Sequence, residues 1–175
     1  MQTQARRVDR MDRTQPVTAW ESGLPETPCG KGSKLENTRV IRAWLPDVIE
    51  RYNVQSIADI GCGDQNWIHE CLPKGIEYSG FDLVPRRSDV QTFDLTREVI
   101  PYPVDMILCI YVLNHLKPDM AERAIRLMKE SGAKYVLMSY SDGDHYAING
   151  MIYMESKFHK DTGRHIWKYG IWELL

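Results

Sequence analysis

Polar and apolar positions divide the chain into a patternless front and a patterned remainder. From Met1 to about Pro28 the residues are polar, rich in Arg, Gln and Thr, broken by Pro16, Pro25 and Pro28, and almost without periodic apolar signal. Residues 1–28 therefore read as a flexible tail that a ligand or partner would order, and residues 29–175 as the folded domain. The domain opens at Gly30-Lys31-Gly32-Ser33, where Ser33 and Glu36 have the spacing of a capping box and predict a helix start. Leu35, Ile41, Leu45, Val48 and Tyr52 then recur near the 3.6-residue period, and Pro46 should kink that helix or split it in two.

Beyond Asn53 the apolar runs shorten and alternate with helical stretches. Ser56 to Ile60, Glu77 to Leu83, Val90 to Leu95, Met106 to Val112 and Tyr135 to Tyr140 read as strands, the last two buried by their unbroken apolar character. Trp67, Ile68, Cys71 and Leu72 suit a short helix. A longer helix opens near Pro118, lines one face with Met120, Ala121, Ala124, Ile125 and Met128, and stops at Gly132. Strands alternating with helices imply right-handed crossovers and a mostly parallel sheet covered on both faces. The last 35 residues break this rhythm: Ser141 to His145 is too short for a crossover helix, Lys160-Asp161-Thr162-Gly163 looks like a turn, and two antiparallel strands should close the sheet.

Composition narrows the function classes. A chain of 175 residues with 43% apolar and 26% charged positions fits one globular α/β domain. Its 22 basic and 24 acidic residues sum to −2, so no overall positive field exists to hold nucleic acid or an anionic membrane. Cys29, Cys62, Cys71 and Cys109 lack Cys-x-x-Cys spacing, which predicts free thiols in a reducing, cytoplasmic compartment. The first 20 residues hold no apolar signal core, and the longest apolar run, Met106 to Leu113, is far too short to span a bilayer.

The chemistry concentrates after the first strand. Asp59-Ile60-Gly61-Cys62-Gly63-Asp64 lies between a strand and a helical stretch, where glycines let a ligand approach backbone amides. Asp82 stands nineteen residues beyond Gly63, at the end of the next strand, where a carboxylate can accept both hydroxyls of a ribose. A dinucleotide fingerprint needs a third glycine where this chain has Asn66, which argues against a nicotinamide-dependent oxidoreductase.

On these residues the chain resembles the class I S-adenosylmethionine-dependent methyltransferases over about residues 33–175. Asp59-x-Gly61-x-Gly63 is similar to their motif I, and Tyr78-Ser79-Gly80-Phe81-Asp82 to motif II. Phe93-Asp94-Leu95 is similar to the segment with the adenine-contacting acid. Asp105 to Cys109 with Val112-Leu113-Asn114-His115-Leu116 is similar to motif IV. Gln65 departs from the family where many members carry a third glycine. Gly30 to Arg39, Gly63-Asp64-Gln65-Asn66-Trp67 and Lys168 to Leu174 further resemble one subgroup. The resemblance implies a three-layer Rossmann-like methyltransferase fold, mostly parallel with an antiparallel C-terminal strand, and S-adenosylmethionine as cofactor. It places Gly61, Cys62 and Gly63 under the methionine part of the ligand, with Asp59 and Trp67 in the same motif. Asp82 and Leu83 fall at the ribose, Asp94 and Leu95 near the adenine, and the backbone of Cys109 and Ile110 faces the sulfonium. Ser33, Asn37 and Arg42 read either as a lid meeting the ligand carboxylate or as part of a capped helix on the sheet edge.

A sulfonium methyl is already activated, so the protein supplies chiefly in-line positioning and electrostatic stabilisation. A base is needed only for a nucleophile of high pKa; His115 reads as that base, as a substrate contact, or as a helix-capping polar residue. Asp142, Asp144 and His145 follow the fifth strand and could bind substrate or fill a polar loop. With His159 they match no metal-ligand signature, and no metal is expected. Trp167 and Trp172 read as core or sheet-face residues, and Arg86-Arg87 as solvated charge. No Asn-Pro-Pro-Tyr tetrapeptide and no Pro-Cys dipeptide is present after the fourth strand, so flipped bases in duplex DNA are disfavoured. The reading is a methyltransferase whose acceptor is a small molecule or sugar; the alternative is a catalytically silent S-adenosylmethionine-binding module.

Overall fold

A computed structural model describes residues 25–141, 151–160 and 166–174. Among them, helix α1 (Leu35–Arg51) precedes strands β1 (Ser56–Ile60), β2 (Glu77–Asp82), β3 (Val90–Thr92) and β4 (Met106–Cys109). Helix α2 (Pro118–Glu130) follows, then β5 (Tyr135–Ser141), β6 (Met151–Lys160) and β7 (Ile166–Leu174). The strands form one sheet in the order β3-β2-β1-β4-β5-β7-β6. β1 to β5 are mutually parallel, and β7 pairs antiparallel with both β5 and β6. The chain reverses its direction of travel across the sheet between β1 and β4, the place where open α/β sheets form a crevice at their carboxyl ends.

Strand periodicity divides the central side chains between two cores. Ile57, Met106, Leu108, Tyr135, Leu137 and Ile171 pack on one face with Ile41, Trp44, Leu45 and Val48 of α1. Ala58, Ile60, Ile107, Cys109, Val136, Met138 and Trp172 face the other way, against Ala121, Ala124, Ile125 and Met128 of α2. Trp172 is thus a core residue, as its sequence context predicts. At the opposite end of the sheet from the crevice, Asp105 Oδ2 accepts from Gln55 N, Ser56 N and Ser56 Oγ at 2.8 to 3.0 Å and clips β1 to β4.

Several predicted elements end early, each for a local reason. β3 stops at Thr92 because Asp94 closes a turn, accepting from Thr96 N (3.0 Å) and Thr96 Oγ1 (2.6 Å) on its side chain. β4 stops at Cys109 because Tyr111 takes a left-handed φ of 58°. The helix expected around Trp67 to Leu72 is only a 3-10 turn, Ile68–Glu70, with Pro73 ending the available chain. β2 and β3 are joined without a helix, in a parallel register that sets Gly80 opposite Val90 and Asp82 opposite Thr92.

Two expectations for α1 are corrected. Lys34, not Ser33, is the N-cap residue and no side chain of its own caps the helix; Ser33 lies in the preceding 3-10 turn, Lys31–Ser33. The free amide of Leu35 is instead taken by Glu26 Oε1 at 2.7 Å, a carboxylate brought from nine residues upstream. Pro46 does not split the helix, which runs unbroken from Leu35 to Arg51. The apolar stripe of Ile41, Trp44, Leu45, Val48 and Ile49 is buried on both sides of the proline and packs both halves into one core.

A helix maintained through an interior proline by packing should gain stability when the missing amide is restored. Pro46→Ala is expected to raise the melting temperature, with a gain in unfolding free energy of about 1 kcal/mol or more. A lowered melting temperature would show that the proline ring itself supplies packing that α1 needs.

Candidate functional site at the carboxyl ends of β1, β2 and β4

The chain leaving β1 turns through three left-handed residues at alternate positions, Gly61 (φ 74°), Gly63 (φ 59°) and Gln65 (φ 59°). Glycine is required at the first two for space as well as φ. A Cβ on Gly61 would overlap the Val112 side chain, and one on Gly63 would overlap Cys29 Sγ. The loop hangs from the tip of β2: Gly61 N and Cys62 N donate to Phe81 O at 2.7 and 3.1 Å, and Gly63 N donates to Asp82 Oδ2 at 2.9 Å. Asp82 Oδ1 accepts from Val84 N at 2.9 Å. Each carboxylate oxygen has spent one lone pair and retains another.

Asp59 is buried at 3% exposure and accepts from the Tyr78 hydroxyl through Oδ2 at 2.7 Å. Burial pushes its carboxyl up to about 7; the Tyr78 hydrogen bond opposes the shift and the charge of Asp82 adds to it. Desolvation also raises the thiols of Cys62 and Cys109 far above their ordinary value, so neither is a nucleophile at neutral pH. Burial lowers the pKa of His115, which keeps its imidazole neutral at pH 7.

The structure brings most of the predicted site residues to this crevice and commits several of them locally. Asp59, Gly61, Cys62, Gly63 and Asp82 surround one loop, while Leu83, 45% exposed, follows directly on Asp82. Asp94 follows β3 and Leu95 is buried in the α2-side core. Trp67 packs on the α1 side beneath the loop. Cys109 ends β4 and Ile110 follows it, both with buried side chains, and His115 closes a 3-10 turn, Leu113–His115. Ser33 Oγ bonds Cys29 O at 3.5 Å, Asn37 Nδ2 donates to Lys31 O at 2.7 Å, and Arg42 pairs with Glu70 (2.6 Å) and Leu35 O (2.8 Å). Asp142, Asp144 and His145 lie outside the described residues, as do the side chains of His159 and Trp167.

The structure also adds residues that the pattern does not mark. Residues Glu26 to Ser33 cross the glycine loop: Asn66 Nδ2 donates to Glu26 Oε1 and to Ser33 O, both at 3.0 Å, and Cys29 Sγ abuts Gly63. Thr27, assigned by sequence to the tail, is 1% exposed. Tyr111 N donates to Ser139 Oγ at 2.6 Å, and its hydroxyl shares a 2.6 Å hydrogen bond with that of buried Tyr169. Gly32 packs on the Tyr111 ring, joining the crossing segment to the end of β4. A left-handed tyrosine has no sequence signature, and an acid upstream of a helix is too common to single out Glu26.

A family model described as a methyltransferase domain matches residues 31–173. No curated protein matches the sequence. Among solved structures, the N-methyltransferase NodS from Bradyrhizobium japonicum WM9, in complex with S-adenosylhomocysteine, is similar with a TM-score of 0.69 at 14% identity, covering 90% of this chain and 96% of its own. Magnesium protoporphyrin IX methyltransferase from Synechocystis PCC 6803, with bound SAM, gives a TM-score of 0.64 at 13% identity, over 82% of this chain and 80% of its own. A small RNA methyltransferase, HEN1, gives 0.59 at 11% identity, over 78% of this chain and 25% of its own. At these identities the likeness is one of fold: the Rossmann-like methyltransferase arrangement, mostly parallel with antiparallel strands at the C-terminus.

Because the carboxyl of Asp59 is raised from an ordinary 3.8 to about 7 in the folded protein, the native state keeps a proton that the unfolded chain releases. Its contribution to stability is therefore complete below the unfolded value and is lost as pH rises through about 7. Asp59→Asn keeps an acceptor for Tyr78 and removes the titration. Melting temperatures measured from pH 4 to 8 should fall for the wild type relative to this variant, and parallel curves would refute the assignment.

Proposed function

The chain belongs to the methyltransferase-domain family, and from that premise we propose that it transfers the methyl group of S-adenosylmethionine to a small-molecule or sugar acceptor. The observation that carries the cofactor assignment is the glycine loop suspended from Asp82 at the β1/β4 switch point. Buried acceptors without a partner support it. Among the described residues, the buried side-chain oxygens without a hydrogen-bond partner are Asp64 Oδ1 in the loop and Asn114 Oδ1 after β4. A ligand carrying an ammonium, ribose hydroxyls and an adenine amine brings donors for such acceptors.

In this reading Gly61, Cys62 and Gly63 support the methionine moiety beside Asp59 and Trp67, Asp82 takes the ribose hydroxyls on its remaining lone pairs, and Leu83 covers the sugar. Asp94 and Leu95 flank the adenine. The backbone of Cys109 and Ile110 faces the sulfonium, and His115, neutral at pH 7, accepts the acceptor's proton when the nucleophile needs it. S-adenosylmethionine supplies the activated methyl. Ser33, Asn37 and Arg42 exchange their internal bonds for the ligand carboxylate as the segment over the loop adjusts. The catalytic domain reaches back past residue 29 to take in Glu26, which binds α1 and the loop residue Asn66, and Thr27, which is buried, and the subgroup is the one marked by Gly63-Asp64-Gln65-Asn66-Trp67.

The acceptor class rests on charge. Acids crowd the carboxyl end of the sheet; Arg87 is held by Asp89 at 2.9 and 3.1 Å, and Arg86, whose charge reaches Cys29 beside the loop, is a single cation against them. Such an edge repels a polyphosphate backbone, and the net charge of −2 offers no compensating field. The porphyrin enzyme among the structural relatives acts on a small molecule, whereas HEN1 acts on small RNA, so charge decides between the classes here. Four free cysteines support a reducing, cytoplasmic setting. No helix among the described residues is long and apolar enough to cross a membrane.

S-adenosylhomocysteine is expected to bind and raise the melting temperature, by about 2.7 kcal/mol of stabilisation at 100 times its dissociation constant, while NAD does neither. Asp82→Ala should weaken calorimetric binding by about 1.5–3 kcal/mol and leave the protein folded. Incubation with methyl-labelled S-adenosylmethionine and host extract should move label into the small-molecule or glycan fraction. Label in nucleic acid would reverse the acceptor class, and binding with no transfer would favour a silent binding module. Amide exchange at Gly30 to Ser33 should slow when S-adenosylhomocysteine is added; unchanged exchange would remove the lid role of Ser33, Asn37 and Arg42.

A further inference from the structure

Gln65 is a non-glycine residue in a left-handed conformation, which an L side chain adopts only where its surroundings over-determine it. Three contacts do so. Its side chain is buried at 4% exposure, and its Oε1 lies 2.8 Å from His69 Nε2 in a hydrogen bond that the imidazole N–H donates. Its amide nitrogen occupies the space where a Cβ on Gly80 would lie, beside Cys62 Sγ. Its backbone N–H closes the loop's last turn onto Cys62 O at 3.1 Å. His69 is itself steadied edge-on against the Tyr78 ring, with centroids 5.6 Å apart, and Tyr78 holds Asp59.

Gly80 belongs to the same strand tip that carries the loop. It lies opposite Asp59 in register and immediately precedes Phe81 and Asp82, whose acceptors receive the amides of Gly61, Cys62 and Gly63. The glutamine side chain therefore reaches under the loop and seats itself in β2 next to the residues from which the loop hangs. A glycine at position 65 would reach the same φ without strain and without an anchor.

We infer that Gln65 is a positioning residue for the ligand-binding loop, and that Gly80 is glycine in order to receive its side chain. The anchored pair Gln65 and Gly80 fixes a turn that glycine would leave free, so the loop's amides are set before a ligand arrives. This inference rests on the proposal that the loop binds S-adenosylmethionine, and it demands that the contact be read in ligand affinity as well as in stability. The cost of filling Gly80 must depend on the residue at position 65.

The test is S-adenosylhomocysteine calorimetry on the full chain and four variants. Gln65→Ala, which keeps the unfavourable φ and loses the anchor, and Gly80→Ala, which expels it, should each weaken binding about tenfold or more. Gln65→Gly should weaken binding measurably but less than Gln65→Ala, because glycine supplies the φ unaided and loses only the anchor. In that background Gly80→Ala should add little, since the space it fills is already empty. Equal losses from Gly80→Ala in the two backgrounds, or wild-type affinity in Gln65→Ala, would overturn the inference.

If the wild-type protein binds no S-adenosylhomocysteine, the cofactor proposal fails and the inference is judged on the unliganded protein. Gly80→Ala must then lower the melting temperature more in the wild-type background than in the Gln65→Gly background, and it must shift the His69 imidazole nitrogen resonances only where Gln65 is present. Additive melting temperatures, or an unmoved His69 signal, would end it.

Discussion

The candidate site depends on one carboxylate joining two strand ends. Asp82 binds the amide of Gly63 on one side and that of Val84 on the other, so the turn after β1 and the chain leaving β2 share one acceptor group. Phe81 O takes two further amides of the same turn. Turns of this kind expose several consecutive N–H groups, and a buried donor left unmade costs about 1–3 kcal/mol. Two adjacent residues of β2 thus satisfy the donors that the start of the turn presents. The same carboxylate keeps lone pairs for further donors, so holding the loop does not exhaust it.

That bridge requires β1 and β2 to be neighbours in a fixed register, which the two-sided core secures. A one-residue slip would exchange Ile57 with Ala58, or Leu108 with Cys109, between the α1 and α2 sides, and would move Asp82 away from Gly63. The helices are few among the described residues, and irregular segments supply the remaining cover. Trp67 and Ile68 pack with the α1 side, and Phe93, Leu95, Ile100 and Val104 with the α2 side.

Much of this was legible in the sequence because it follows from periodicity. The five parallel strands, the helix from Pro118, the stop at Gly132 and the antiparallel close all follow from runs of apolar residues and from breakers. The glycine loop and Asp82 were legible because only certain residues can perform those tasks at that spacing. What the pattern missed is set by tertiary contact. Pro46 should break a helix in isolation, and the buried stripe around it decides otherwise. Ser33 has capping-box spacing, yet the free amide at the helix start is taken by Glu26, whose approach depends on how residues 25–34 cross the loop. Tyr111 and Gln65 adopt a conformation that local propensity assigns to glycine or asparagine, and each is held there by partners far along the chain or beneath it.

Charge supplies the remaining constraint. Asp59, Asp64, Asp82 and Asp94 all lie on the loops and strand tips at one end of the sheet, where a like charge opposes the ionisation of a buried neighbour. The effect is visible at Asp59, where the charge of Asp82 adds to the desolvation that brings the carboxyl near neutrality. Cations close in sequence are engaged elsewhere or only loosely: Arg42 with Glu70, Arg87 with Asp89, and Arg97 with Asp94 at 3.6 Å. The donors that Asp82 and Asp94 already accept from offset part of this charge, and the like-charge repulsion that is left opposes folding. A cationic ligand that also brings hydrogen-bond donors offsets that repulsion. A sulfonium nucleoside is such a ligand and a dinucleotide with its pyrophosphate is not, so the acids favour the same cofactor class as the loop geometry, by an argument independent of it.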